Sequence, residues 1–133
     1  MQYSLLVMSQ EAGDAEVSEE AMDWGRAAFD AYAKSLDAAG VLISADILQP
    51  VAVATTISVR DGALTVQDGP FAVTKERLNG TFVVEVPDLD AAIGWAAKCP
   101  GAQYGAVEIR PSAVVFRDGA WHSLVSPSTA TTA

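Results

Sequence analysis

Apolar residues along the 133-residue chain fall into short runs of two periods, and the two periods alternate. Gln2 to Met8, "QYSLLVM", has strand length and no breaker, and predicts a first strand. Ser18 then stands before "EEAMDWGRAAFDAYAKSLDAAG", where Gly25, Ala28, Phe29, Tyr32 and Leu36 recur at helical spacing. A serine hydroxyl there accepts an orphan N–H of the first turn, Glu19 and Glu20 suit the positive end of the helix dipole, and Gly40 supplies the stop. Val41 to Leu48 predicts a second strand, ended by Gln49-Pro50. Thr55, Ile57 and Val59 alternate with Thr56, Ser58 and Arg60, the pattern of a half-buried third strand. Asp61-Gly62 turns that strand into a hairpin partner, Leu64 to Gln67. Gly80 to Val86 predicts another strand. Asp88 then caps a helix whose Leu89, Ala92, Ile93, Ala96 and Ala97 make one apolar face, with Pro100-Gly101 ending it. Val107 to Arg110 is a strand stopped by Pro111, and "VVFRDGAWHSLV" reads as a second hairpin turning at Asp118-Gly119.

With the first hairpin set aside, the order is β-α-β-β-α-β, the ferredoxin-like α+β arrangement: an antiparallel sheet with both helices on one face. The other face must then be solvated or covered. Half of the residues are apolar, so the expectation is a homodimer whose two sheets meet and enclose a cavity, a dimeric α+β barrel. Residues 1–111 form the domain, 112–125 a hairpin extension, and 126–133 a polar tail of small residues.

Composition narrows the partners. Seventeen acidic against eight basic residues give a net charge of −9, which argues against a nucleic-acid or anionic-membrane surface. No apolar run approaches the roughly 20 residues of a membrane span. The opening "MQYSLLVMSQEAG" lacks the basic start of a signal peptide, and a single cysteine, Cys99, forms no internal disulfide; a reducing, cytoplasmic home is expected. One cysteine and one histidine, His122, are too few for a zinc site, and both glycine-rich phosphate-loop patterns are missing. No cofactor is expected.

The candidate chemistry is ionic. In "DGPFAVTKE", Asp68 reads in two ways. It caps a short helix opened by Pro70 and closed at Asn79-Gly80, with Phe71 anchored in the core and Lys75 and Glu76 on the wet side. Alternatively it points into the barrel mouth near Lys75 and takes a proton from a bound acid or phenol. Glu85 alternates with Phe82, Val84 and Val86, and Glu108 and Arg110 alternate with Val107 and Ile109, so these charges project from the sheet face that the helices leave open. They pair across strands or recognise a ligand, and Arg110 is the residue whose planar fork suits a substrate carboxylate.

"LQPVAVATTISVRDG", "DGPFAVTKE", "VPDLDAAIGWAAKCP" and "YGAVEIRP", in that order, resemble the YCII-related domain family and within it the DGPF subgroup, over about residues 1–111. The resemblance implies a dimeric α+β barrel without an assigned reaction, and for many members a place beside extracytoplasmic-function sigma factor systems. It also implies an acid/base dyad of a first-helix histidine and an aspartate before the Gly-Pro turn. Here the helix reads Phe29-Asp30-Ala31-Tyr32, so only Asp68 carries over. The acidic residue usual after "DGPFA" is Val73, the glycine usual before Gly80 is Asn79, and the chain runs further past Ser112 than the family's typical ending. Two roles are therefore open: a cofactor-free acid/base enzyme acting on a small organic acid or phenol, or a non-catalytic module for a small ligand or a protein.

Overall fold

The computed structural model describes residues 1–10 and 18–125; the tail expected over 126–133 lies outside the described residues. Four strands, β1 (Gln2–Ser9), β2 (Leu42–Ile47), β5 (Arg77–Glu85) and β6 (Ala106–Pro111), form one antiparallel sheet in the order β2-β5-β1-β6. Helices α1 (Glu19–Ala38) and α2 (Leu89–Ala97) make the two crossovers, and a single turn, α3 (Gly101–Tyr104), leads into β6. This is the ferredoxin-like order that the alternating periods predict. Strands β3 (Thr55–Arg60) and β4 (Ala63–Asp68) form a separate hairpin between β2 and β5, and β7 (Val114–Arg117) and β8 (Ala120–Ser123) form another after β6. No helix among the described residues is long and apolar enough to cross a membrane.

The local signals act as their chemistry requires. The Ser18 hydroxyl accepts the N–H of Ala21, and the Asp88 carboxylate accepts that of Ala91. Both hairpins turn on an Asp-Gly pair in which each residue has positive φ, the geometry whose twist matches the flanking strands.

The core lies between the helices and one sheet face. Tyr3, Leu5 and Val7 of β1 stand opposite Val84, Phe82 and Gly80 of β5, and these positions point under the helices. Tyr32 and Leu36 of α1 and Ala92 and Ala96 of α2 close over them. The Tyr32 ring meets Phe82 edge to face at 5.0 Å, and its hydroxyl donates to the Trp95 carbonyl. The α2 stripe differs from expectation: Leu89 and Ile93 are half exposed, while Trp95 and the buried Cys99 complete the contact. The residues facing the sheet here are 92, 95, 96 and 99, a stripe offset from the larger aliphatics.

The opposite sheet face carries no helix among the described residues. By register it presents Gln2, Ser4, Leu6 and Met8 of β1, Thr81, Val83 and Glu85 of β5, and Glu108 and Arg110 of β6. β5 bulges at Asn79, whose side-chain amide donates to the Ser9 hydroxyl, so the one buried polar side chain of the sheet is satisfied.

Candidate functional site

The DGPF segment is not a helix. Asp68 is the last residue of β4, opposite Thr55, and the chain from Ser58's hairpin passes through Gly69 at φ +104 before running irregularly to β5. Backbone groups hold this exit: Gly69 N–H donates to Ala54 O, Thr56 Oγ1 to Gly69 O, and Gln67 Nε2 to Pro70 O. Asp68 therefore has no helix to cap, and Phe71, expected in the core, is 80% exposed. The reason is length. β4 ends at residue 68 and β5 begins at 77, so the link spends its few residues crossing from the hairpin back to the sheet. Lys75 lies exposed on the same link.

Glu85, Glu108 and Arg110 do lie on the open sheet face, as the alternation implies. One ion pair runs along β6 and the other joins the end of β5 to the start of the chain beside it. Arg110 Nη1 sits 3.4 Å from Glu108 Oε2, two residues away on β6, and Glu85 Oε1 lies 2.6 Å from the Met1 amino group. All these side chains are well exposed, where such pairs contribute about 1 kcal/mol or less. The five candidate residues divide into two places, Asp68 and Lys75 on the hairpin exit and the other three on the sheet. The structure does not assemble them into one site.

A concave feature lies elsewhere. A groove of about 550 Å³ runs between α1 and β2. Phe29, Phe82, Ala45 and Ile47 make its apolar bed, and Met22, Gly25 and Ala33 its helix wall. Arg26, Asp30 and Asp46 add the polar atoms. Two of these charges are engaged along the helix: Arg26 with Asp23 at 3.0 Å and Asp30 with Lys34 at 2.8 Å. The Asp30 carboxylate raises the Lys34 ammonium above its ordinary value, first by hydrogen bonding and then by charge. The groove is an apolar slot with a thin ionic edge, its volume within the ~300–1,000 Å³ range of small-molecule sites. Sequence reading missed it. The signal was present: residues 22, 26 and 30, and 25, 29 and 33, recur every four positions, and small Gly25 and Ala33 flank Phe29.

Other reactive groups are held silent. Cys99 is buried, and desolvation pushes its thiol above the ordinary cysteine value although Gly101 and Ala102 N–H groups pull the other way. Burial also pushes the Tyr32 hydroxyl well above the ordinary tyrosine range, with Cys99 adding to it. His122 is exposed on the last hairpin, where its Nε2 lies 3.2 Å from Arg117 O. Among the described residues no group of three or more His, Cys, Asp or Glu is placed to hold a metal ion.

The family model of the YCII-related domain matches residues 1–114, which spans the four-stranded sheet, both main helices and the inserted hairpin. An uncharacterised protein of Rhizobium meliloti (strain 1021) is 31% identical over 116 residues, covering 86% of this chain and 94% of that protein. With its sheet order, its hairpin insertion and its extent all accounted for, the chain belongs to the YCII-related domain family.

Proposed function

We propose that this chain, a DGPF-type member by its "DGPF" stretch, is a non-catalytic module that binds a small, uncharged, largely aromatic molecule in the groove between α1 and β2. One observation carries the reading: the groove's bed is built of Phe29, Phe82, Ala45 and Ile47, and of the described charged residues only Arg26, Asp30 and Asp46 line it, while Asp68, Lys75, Glu85, Glu108 and Arg110 do not. An apolar bed rewards ring burial at roughly 25 cal/mol per Å². Asp30 and Asp46 at the edge, on a chain of net charge −9, disfavour an organic anion and leave a phenol as the fitting class. An acid/base role for Asp68 has less support, since the histidine partner is absent and Lys75 and Arg110 lie at different places on the fold.

The test is a thermal-shift series with neutral phenols and with carboxylic acids, on the native chain and on Gly25→Phe. Gly25 lines the groove and a Cβ there meets nothing within 4 Å, so the larger side chain starts from open space on the groove wall. Phenols should raise Tm for the native chain and not for the plugged variant. Equal shifts in both, or no shift with any phenol, would sink the reading.

A second copy covers the open sheet face in this proposal. Leu6, Met8 and Val83, partly exposed, form an apolar strip there with no helix of the described residues above it, and a second copy would bury it.

A further inference from the structure

The β3–β4 hairpin carries its apolar residues on one side. Ile57 stands directly opposite Val66 and Val59 opposite Leu64, so the four side chains share a face. Each is 58–64% exposed. The reverse side holds Thr56, Ser58, Thr65 and Gln67. The strand pattern that predicted a half-buried hairpin is thus present, but among the described residues the apolar side is left open. β3 and β4 contact chiefly each other, and a bond from Gly69 N–H to Ala54 O closes the open end of the hairpin. A two-stranded hairpin standing alone in water is marginal, so this face needs a cover.

The fold has a second surface with no helix over it among the described residues, the open sheet face, where Leu6, Met8 and Val83 are partly exposed. The two surfaces belong to one chain, and among the described residues neither β3 nor β4 packs extensively on the four-stranded sheet. We infer that they meet between chains: in a two-fold pair, the β3–β4 arm of each copy lies across the open sheet face of the other. This rests on the paired-copy reading above and adds to it the arm, its direction and its contact face.

Three points favour a second copy as the occupant. A symmetric pair uses both exposed surfaces twice and leaves neither bare. Two chains of net charge −9 repel, which favours contact through their apolar patches, and Ile57, Val59, Leu64 and Val66 on the arm and Leu6, Met8 and Val83 on the sheet are such patches. A stable pair buries roughly 800 Å² per partner, more than the largest apolar patch of about 300–600 Å² on an ordinary monomer. Arm and sheet together supply two patches per chain. The exchange also has a chemical consequence. Asp68 stands on the arm's apolar side, opposite Thr55, so it is carried to the second copy's open face, where β6 presents Arg110. The ionic residues that stay apart in one chain share a surface in the pair.

The experiment places a photo-crosslinking benzophenone amino acid at position 57 in an equal mixture of light and ¹⁵N-labelled chains, followed by mass spectrometry, with sedimentation of the native chain beside it. Mixed-label peptides joining residue 57 to the β1 or β5 strip support the inference. A dimer by sedimentation whose crosslinks run within one chain, or to the helices of another, overturns the arm exchange and leaves the paired sheets standing. A monomer overturns both. The double variant Ile57→Asp/Val66→Asp should weaken self-association at least tenfold while leaving phenol shifts in the groove unchanged; undiminished association also overturns the arm exchange.

Discussion

The Tyr32 hydroxyl donates a 2.8 Å hydrogen bond to the carbonyl oxygen of Trp95, joining the middle of α1 to the last turn of α2 above the sheet. That oxygen also accepts from Lys98 N–H, so the side-chain bond supplements the helix ladder rather than replacing it.

Tyr32→Phe should therefore cost about 1 kcal/mol near neutral pH, the ordinary worth of one such bond. It should also change the alkaline limb. Burial holds the Tyr32 hydroxyl and the Cys99 thiol in their protonated forms, so both groups ionise more readily in the unfolded chain. Their stabilisation is complete below the unfolded values, about 8.5 for cysteine and 10 for tyrosine, and is lost as pH rises through and beyond them. Urea midpoints from pH 7 to 11 should fall above about pH 9 for the native chain and fall less steeply for Tyr32→Phe.

Gly25→Ala should stabilise the protein by about 0.5–1 kcal/mol, because the residue lies inside α1 and a Cβ there has open space. The check is the denaturant midpoint at an unchanged slope.

Gly80→Ala should do the reverse. A Cβ at that position would lie 2.7 Å from Asp46 O and 2.9 Å from Ile47 Cδ1, so β2 must move off β5. A loss of about 1–3 kcal/mol is expected, read in the same assay.

Asp68→Asn should shift the stability of the single chain by less than about 0.5 kcal/mol, since the side chain is exposed and caps nothing. A loss of 1 kcal/mol or more at low protein concentration would show a role that the folded chain does not display.

Much of the fold was legible because its signals are local. Ser18 and Asp88 announce helix starts through oxygens that reach N–H groups three residues on, and Asp61-Gly62 and Asp118-Gly119 announce turns through the φ values they tolerate. Alternation also sorted residues to faces, which is why Glu85, Glu108 and Arg110 fall together on the open side. What alternation cannot tell is whether anything lies over a face. Ile57 and Val59 are patterned like core residues and stand in the open, and Phe71 follows a Gly-Pro pair suited to a helix start yet sits on a crossing link. The groove was hidden for a related reason: its walls come from α1, β2 and β5, and the space arises from what Gly25 and Ala33 lack.

The position of β1 bears on how the chain is made. Of the described strands the earliest made, β1, becomes an inner strand of the sheet, yet its neighbours begin at residues 77 and 106. For most of translation its hydrogen-bonding edges have no mates, and the sheet closes only when the last quarter of the domain has emerged. Acquisition of structure should therefore be late and cooperative rather than progressive, with chains truncated before residue 106 remaining prone to aggregation.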